Sequence, residues 1–186
     1  ERALHGALKD QDWEGAERAF QRANIFAEMT VLDNVHAAVL AHGRRHRHFG
    51  RPARRDTAGR ERAREVLRWV HLADAAGVRA GSLSHGDQKL LDIAIALALE
   101  PKLLLLDEPT AGMHPERRRD MIALVKRLWR DLSMTVLFIE HDMDIVFGVA
   151  QRILVLYQGR LIADGPPAAI SANPLVVEAY LGEDVL

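Results

Sequence analysis

The chain has no cysteine among its 186 residues. That excludes disulfides, thiolate metal sites and a cysteine nucleophile, and it fits a reducing compartment. No apolar run approaches the ~18 residues that a membrane-spanning helix needs. The first residues, Glu1-Arg-Ala-Leu-His5, lack the apolar core of a signal peptide. No internal repeat is present. Neither sign of charge is in excess: 25 Lys and Arg stand against 26 Asp and Glu, a net −1 with His neutral. No global field therefore argues for nucleic acid or an anionic membrane as partner. What remains is the composition of an ordinary globular protein, 48% hydrophobic and 27% charged. The length suits one domain with a core, or one domain with a subdomain.

The most informative stretch is Lys102-Leu-Leu-Leu-Leu-Asp-Glu-Pro109. A short continuous apolar run bounded by breakers reads as a strand buried on both faces, as in a parallel sheet. Asp107 and Glu108 then stand at its carboxyl end, where open α/β sheets bind ligands. Two adjacent acids there are costly to desolvate unless a cation or a proton transfer uses them. This points to a magnesium-nucleotide site. The alternative is a strand that ends in a polar surface turn.

In chain order, residues 1–15 are polar, with Leu4, Leu8 and Trp13 loosely at helical spacing. Thr30 can cap a helix bearing Val31, Leu32, Val35 and Val39 on one side. Arg44 to Arg55 holds six arginines, two histidines and no acid. It reads as a solvated insertion, with a nucleic-acid or phospholipid patch as the alternative. His42, His46 and His48 lack the carboxylate or thiolate neighbours of a metal site. Thr57 to Val70 is a helix with Ala63, Val66, Leu67 and Val70 in one stripe. A connector, residues 72–81, leads to Leu83-Ser-His-Gly-Asp-Gln88 and a helix that is apolar nearly all round. Ser84 is its cap and Asp87 a capping-box acid three residues on. Pro115 starts the cleanest amphipathic helix, with Met121, Leu124, Val125, Leu128, Trp129 and Leu132 on its stripe. Thr135 to Ile139 is predicted as a second buried strand, which completes a βαβ unit. A short helix spans Asp142 to Ala150. Gln158-Gly159 joins two strands in a hairpin, and short helices at Pro166–Ser171 and Leu175–Leu181 close the chain.

Several features now line up in order: Gln21 in Arg18-Ala-Phe-Gln21, Ser84-His-Gly86 opening a buried helix, Asp107-Glu108 ending one strand and His141 ending the next. In this order and spacing the chain resembles the nucleotide-binding domain of an ATP-binding cassette (ABC) ATPase. The resemblance implies an α/β, P-loop NTPase-like fold, a mostly parallel sheet with an α-helical subdomain. It implies Asp107 as a magnesium ligand through water, Glu108 as the general base and His141 as the switch histidine at the γ-phosphate. Gln21 would be the Q-loop glutamine that senses nucleotide and metal and couples to a membrane partner. Ser84, His85, Gly86 and Asp87 would form the signature that faces the ATP of a second protomer. Ala111-Gly-Met113 falls where the D-loop lies. The cofactors implied are ATP and Mg2+.

The usual signature is L-S-G-G-Q, and here His85 and Asp87 replace a glycine and a glutamine. His85 is expected to preserve the turn if its φ stays negative. None of the 13 glycines precedes a lysine, so the chain contains no G-x-x-x-x-G-K-[ST] phosphate cradle. Nor does it show the preceding strand or an aromatic residue to stack adenine. It therefore looks like the C-terminal two-thirds of such an ATPase, with the N-terminal strands missing and an open sheet edge. Within residues 1–186, the resemblance assigns 30–100 to the helical signature subdomain, 101–165 to the core and 166–186 to C-terminal helices. The A-G-M-x-P turn and the ending N-P-L-V-V-E-A-Y-L-G are most similar to ATPases of branched-chain amino acid importers, with importers of urea, other amides and related small polar solutes as close relatives. That implies a second ATPase subunit, transmembrane permease subunits, a solute-binding protein acting indirectly, and a place on the cytoplasmic face of the membrane. No nucleic acid is expected. The alternatives are a soluble ABC ATPase acting on nucleic acid, and a catalytically inactive fragment.

Overall fold

The computed structural model describes residues 16–19, 25–42 and 56–181. The polar start of the chain, Gln21, His46, His48 and the Arg44–Arg55 segment lie outside the described residues. Two compact units are present, one of Trp13–Glu140 and one that takes in His141–Leu186.

The first unit begins with a strand that sequence reasoning did not anticipate, β1 (Ala16–Ala19). Ala-Glu-Arg-Ala has no β-branched or aromatic residue. Its extended backbone comes from pairing in parallel with β2 (Leu103–Asp107), from Ala16 opposite Leu103 to Ala19 opposite Leu106. Tertiary pairing here overrides local propensity. Three helices follow: α1 (Val31–His42), α2 (Thr57–Trp69) and α3 (His85–Leu97). Thr30 caps α1 as expected: its hydroxyl accepts from the Asp33 N–H at 3.0 Å and donates to the Asp33 carboxylate at 2.7 Å. The cap of α2 is Asp56, which accepts from the Gly59 N–H at 3.2 Å. Val31, Leu32, Val35, Ala63, Val66, Leu67, Leu90, Leu91 and Ile93 are buried, so the three helices form a core. α3 ends as Glu100 turns left-handed (φ 54°) ahead of Pro101.

β2 is the middle strand of a parallel sheet ordered β1-β2-β3, where β3 is Thr135–Ile139. Leu103, Leu104 and Leu106 are buried, as a central strand between neighbours requires. α4 (Pro115–Asp131) links β2 to β3, with Pro115 in its first turn. The structure corrects two expectations. Leu132 is 45% exposed rather than on the buried stripe, because the helix ends at Asp131 and Leu132 is only its cap. β3 is not a buried strand: Thr135 and Ile139 are exposed and the three residues between them half-buried. Among the described residues β3 has a strand neighbour on one side only, β2.

In the second unit, α5 (Met143–Val149) is capped by Asp142, which accepts from the Ile145 N–H at 3.3 Å. β4 (Ile153–Tyr157) and β5 (Arg160–Gly165) form the expected antiparallel hairpin. Gln158 and Gly159 both have positive φ, 47° and 76°, as a tight two-residue turn demands. α6 (Pro167–Ser171) and α7 (Pro174–Val176) follow, and the backbone then widens into a π-helical turn, Val177–Leu181. Ile153, Ala163, Ile170 and Val176 make this unit's core.

Candidate functional site

Asp107 ends β2 half-buried, opposite Ile139 in β3. The chain then turns sharply. Glu108 has φ 44°, in a left-handed region that costs a non-glycine residue roughly 1–3 kcal/mol. Its backbone is clamped at both ends. The N–H donates to the Ile139 carbonyl at 2.9 Å, and the carbonyl accepts from Lys89 Nζ at 3.0 Å. Lys89 also donates to the Ala111 carbonyl at 2.9 Å. From the other side, Glu140 Oε1 accepts both the N–H of Thr110, at 3.0 Å, and its hydroxyl, at 2.7 Å. Within the turn, the Ala111 N–H reaches the Glu108 carbonyl at 3.1 Å and the Met113 N–H reaches the Thr110 carbonyl at 3.2 Å. Residues 108–113 are thus held by an ammonium from α3 and a carboxylate at the end of β3. Burial pushes the Lys89 pKa down, while the carboxylates of Glu140, Glu108 and Asp107 act against that shift.

The first turn of α3 lies in the same unit. Ser84 is its cap, exposed; its hydroxyl accepts from the Asp87 N–H at 3.2 Å and donates to the Asp87 carboxylate at 2.8 Å. The second Asp87 oxygen pairs with Arg117 of α4 at 2.9 Å. That contact is an ion pair without hydrogen-bond geometry, so this buried oxygen accepts no hydrogen bond among the described residues. The Ser84 hydroxyl can rotate its proton toward another acceptor and still accept from the Asp87 N–H. His85 is the first residue of α3, exposed and with negative φ. Its ring lies beside Gly112, whose φ of 71° closes the turn. Gly86 is buried, yet a Cβ there would meet Met113 and Arg117 only at 3.6–3.8 Å. None of the described residues demands glycine at that position.

The structure therefore brings Asp107, Glu108 and the Ser84–Asp87 turn together in one unit. Gln21 lies outside the described residues. His141 is exposed, directly follows Glu140 and opens the second unit. Three residues that hold the turn escaped the sequence reading: Lys89, Thr110 and Glu140. The signal for Lys89 was present, since a charge on a helix apolar nearly all round must find partners when buried. The donor set fits magnesium. Asp107 and Glu108 offer hard oxygens, and no group of three or more His, Asp or Glu is poised to hold an ion among the described residues. Magnesium is held by one or two carboxylates together with substrate phosphates, not by an all-protein cage.

Comparison with known proteins agrees with this geometry. A family model described as ABC transporter matches residues 9–111, and one described as branched-chain amino acid ATP-binding cassette transporter matches residues 160–185. The high-affinity branched-chain amino acid transport ATP-binding protein BraF of Pseudomonas aeruginosa is 39% identical over 180 residues, covering 91% of this chain and 68% of the relative. LivG of Escherichia coli, of the same description, is 37% identical over 174 residues with the same coverage. A crystal structure of an ATP-binding cassette of an ABC transporter, in its ADP conformation, superposes with a TM-score of 0.73. It is 32% identical, over 91% of this chain and 69% of the other. Motifs, fold and relatives converge, and the chain belongs to the ABC transporter family as an ATP-binding-cassette ATPase.

Proposed function

We propose that this chain acts in the ATP-hydrolysing subunit of an importer for branched-chain amino acids. The observation that carries the hydrolytic reading is Glu108, a strained residue held by two elements directly after the buried strand that ends in Asp107. Strained backbone of this kind clusters at functional sites. Asp107 would hold Mg2+ through water, and the ion would neutralise charge developing on the phosphates. Glu108 would take a proton from the attacking water on its carboxylate. His141 and Gln21 would contact the γ-phosphate and the metal-water shell. Ser84, His85, Gly86 and Asp87 would present a hydroxyl and the positive end of α3 to the ATP of a second subunit. The likeness to BraF and LivG, branched-chain amino acid transport ATP-binding proteins, and the family match over residues 160–185 support branched-chain amino acids as cargo.

The partners in this reading are a second ATPase subunit and the permease subunits, with a solute-binding protein acting indirectly across the membrane. No helix among the described residues is long and apolar enough to span a bilayer, so attachment at the cytoplasmic face would run through the permease. Residues 30–100 would form the helical subdomain that faces it. Phe26 supports this surface. Its ring is 63% exposed, while Asn34 fixes its backbone through bonds of 2.8 Å to its N–H and 3.1 Å to its carbonyl. A rigidly held, exposed aromatic residue is the anchor type that buries well in an interface. Glu108→Gln tests the reading. In the full-length gene product, ATP turnover should fall by about 10²-fold or more, the range of a lost general base. Turnover at the parental rate would remove Glu108 from the role.

A further inference from the structure

Lys89 connects two parts of this site. It stands five residues after Ser84 on α3, a rigid spacing of about 7.5 Å along the helix. Its ammonium is buried, and its two hydrogen bonds run to main-chain carbonyls, those of Glu108 and Ala111. Glu108 keeps a left-handed backbone because its surroundings over-determine it. Its bonds to the Ile139 carbonyl and to the Ala111 N–H are main chain to main chain; Lys89 reaches its carbonyl with a side chain from α3. The backbone φ and ψ set the direction of the Cα–Cβ bond and limit the allowed rotamers, so whatever fixes this backbone narrows where the carboxylate can point.

We propose that Lys89 is a positioning residue for hydrolysis. It locks the Glu108 and Ala111 carbonyls to the signature helix and thereby narrows the direction in which Glu108 presents its carboxylate to water. This rests on the reading of Glu108 as the base. Glu140 is the counterpart on the far side of the turn: it grips Thr110 twice from the end of β3. Lys89 differs from it in acting on the backbone of Glu108 itself.

Lys89→Met and Lys89→Arg in the full-length gene product, assembled with its permease, test the proposal. Lys89→Met should lower kcat by about 10- to 100-fold, as a misplaced catalytic group does. KM for ATP should stay within about twofold, because Lys89 is assigned no nucleotide contact. Lys89→Arg, whose guanidinium can donate to both carbonyls, should recover most of kcat. In the full-length gene product without nucleotide, the amides of Ala111 and Met113 should exchange about tenfold faster in Lys89→Met, with those of α1 and α2 unchanged. If Lys89→Met fails to fold, Lys89→Gln, too short to reach both carbonyls, gives the same readings. Parental kcat with unchanged exchange, or a raised KM with parental kcat, would overturn the proposal. Glu108→Gln run beside it separates the two ideas: if that variant is inactive, only the role of Lys89 falls, and if it turns over normally, the reading beneath falls instead.

Discussion

At position 59 the space of one methyl group decides the sign of a substitution. Gly59 lies in the first turn of α2, and glycine in a helix ordinarily costs about 0.8–1 kcal/mol against alanine. Here a Cβ would stand 2.1 Å from the Asp56 carboxylate and 3.0 Å from His36 Nε2. Asp56 caps the helix and pairs with buried His36 at 3.3 Å, so it cannot move aside without losing both. Gly59→Ala should therefore destabilise, by about the 0.5–2 kcal/mol of a lost cap, and Tm should fall where propensity alone predicts a rise. Asp33 offers a titration at the same scale. The Thr30 hydroxyl, first of all, holds its carboxyl below the usual range; burial, the next cause, acts the other way, and the Arg60 guanidinium at 3.0 Å lowers it again. A depressed folded pKa contributes stability that is fully present above the unfolded value, about 3.9, and is lost as pH falls through the folded value. The Tm gap between parent and Asp33→Asn should be constant at neutral pH and should shrink below about pH 4. A gap that widened on acidification would contradict this sign. Thr30 and Ser84 could be read as caps from type and position alone. Asp56, directly before its helix, has the same type and position; Lys89 and Glu140 could not be read this way, because their partners come from other elements or depend on a turn the sequence does not display.

Among the elements, α4 shows where periodicity stops being informative. Met121, Leu124, Val125, Leu128 and Leu132 continue one arithmetic stripe, yet the helix ends before the last of them. Leu128 is fully buried and Leu132 is 45% exposed. Leu128→Ala should cost about 2–5 kcal/mol, and Leu132→Ala should stay within about 0.5 kcal/mol. Denaturant midpoints at an unchanged m-value would measure both. Equal losses would mean that the stripe continues past Asp131. The strands give the same lesson. The four leucines of β2 announced a central strand, but β1 has no sequence signature, and β3 looks as apolar as β2 while lying half-exposed. Apolar content reports what a strand can bury; neighbours decide what it does bury.

For the whole molecule, the dimer is the testable consequence of the cassette. If Glu108→Gln stops hydrolysis, ATP should hold two full-length subunits together. Light scattering should then show a doubled mass in ATP and not in ADP. A mass unchanged by ATP would argue against the head-to-tail sandwich. The near-balanced charge of these 186 residues, 25 bases against 26 acids, gives them no net field with which to drive such an association. The sequence by itself determined the family, because D-E-P after four leucines and S-H-G before a buried helix join residue types that phosphoryl transfer needs at spacings that local structure sets. It determined the caps, the βαβ unit and the hairpin, all products of short-range geometry. Tertiary structure alone decided how Glu108 is held. A left-handed backbone is stable only when distant groups compensate its strain, and those groups, Ile139 and Lys89, reach Glu108 from β3 and α3, 31 residues after it and 19 residues before it in the chain.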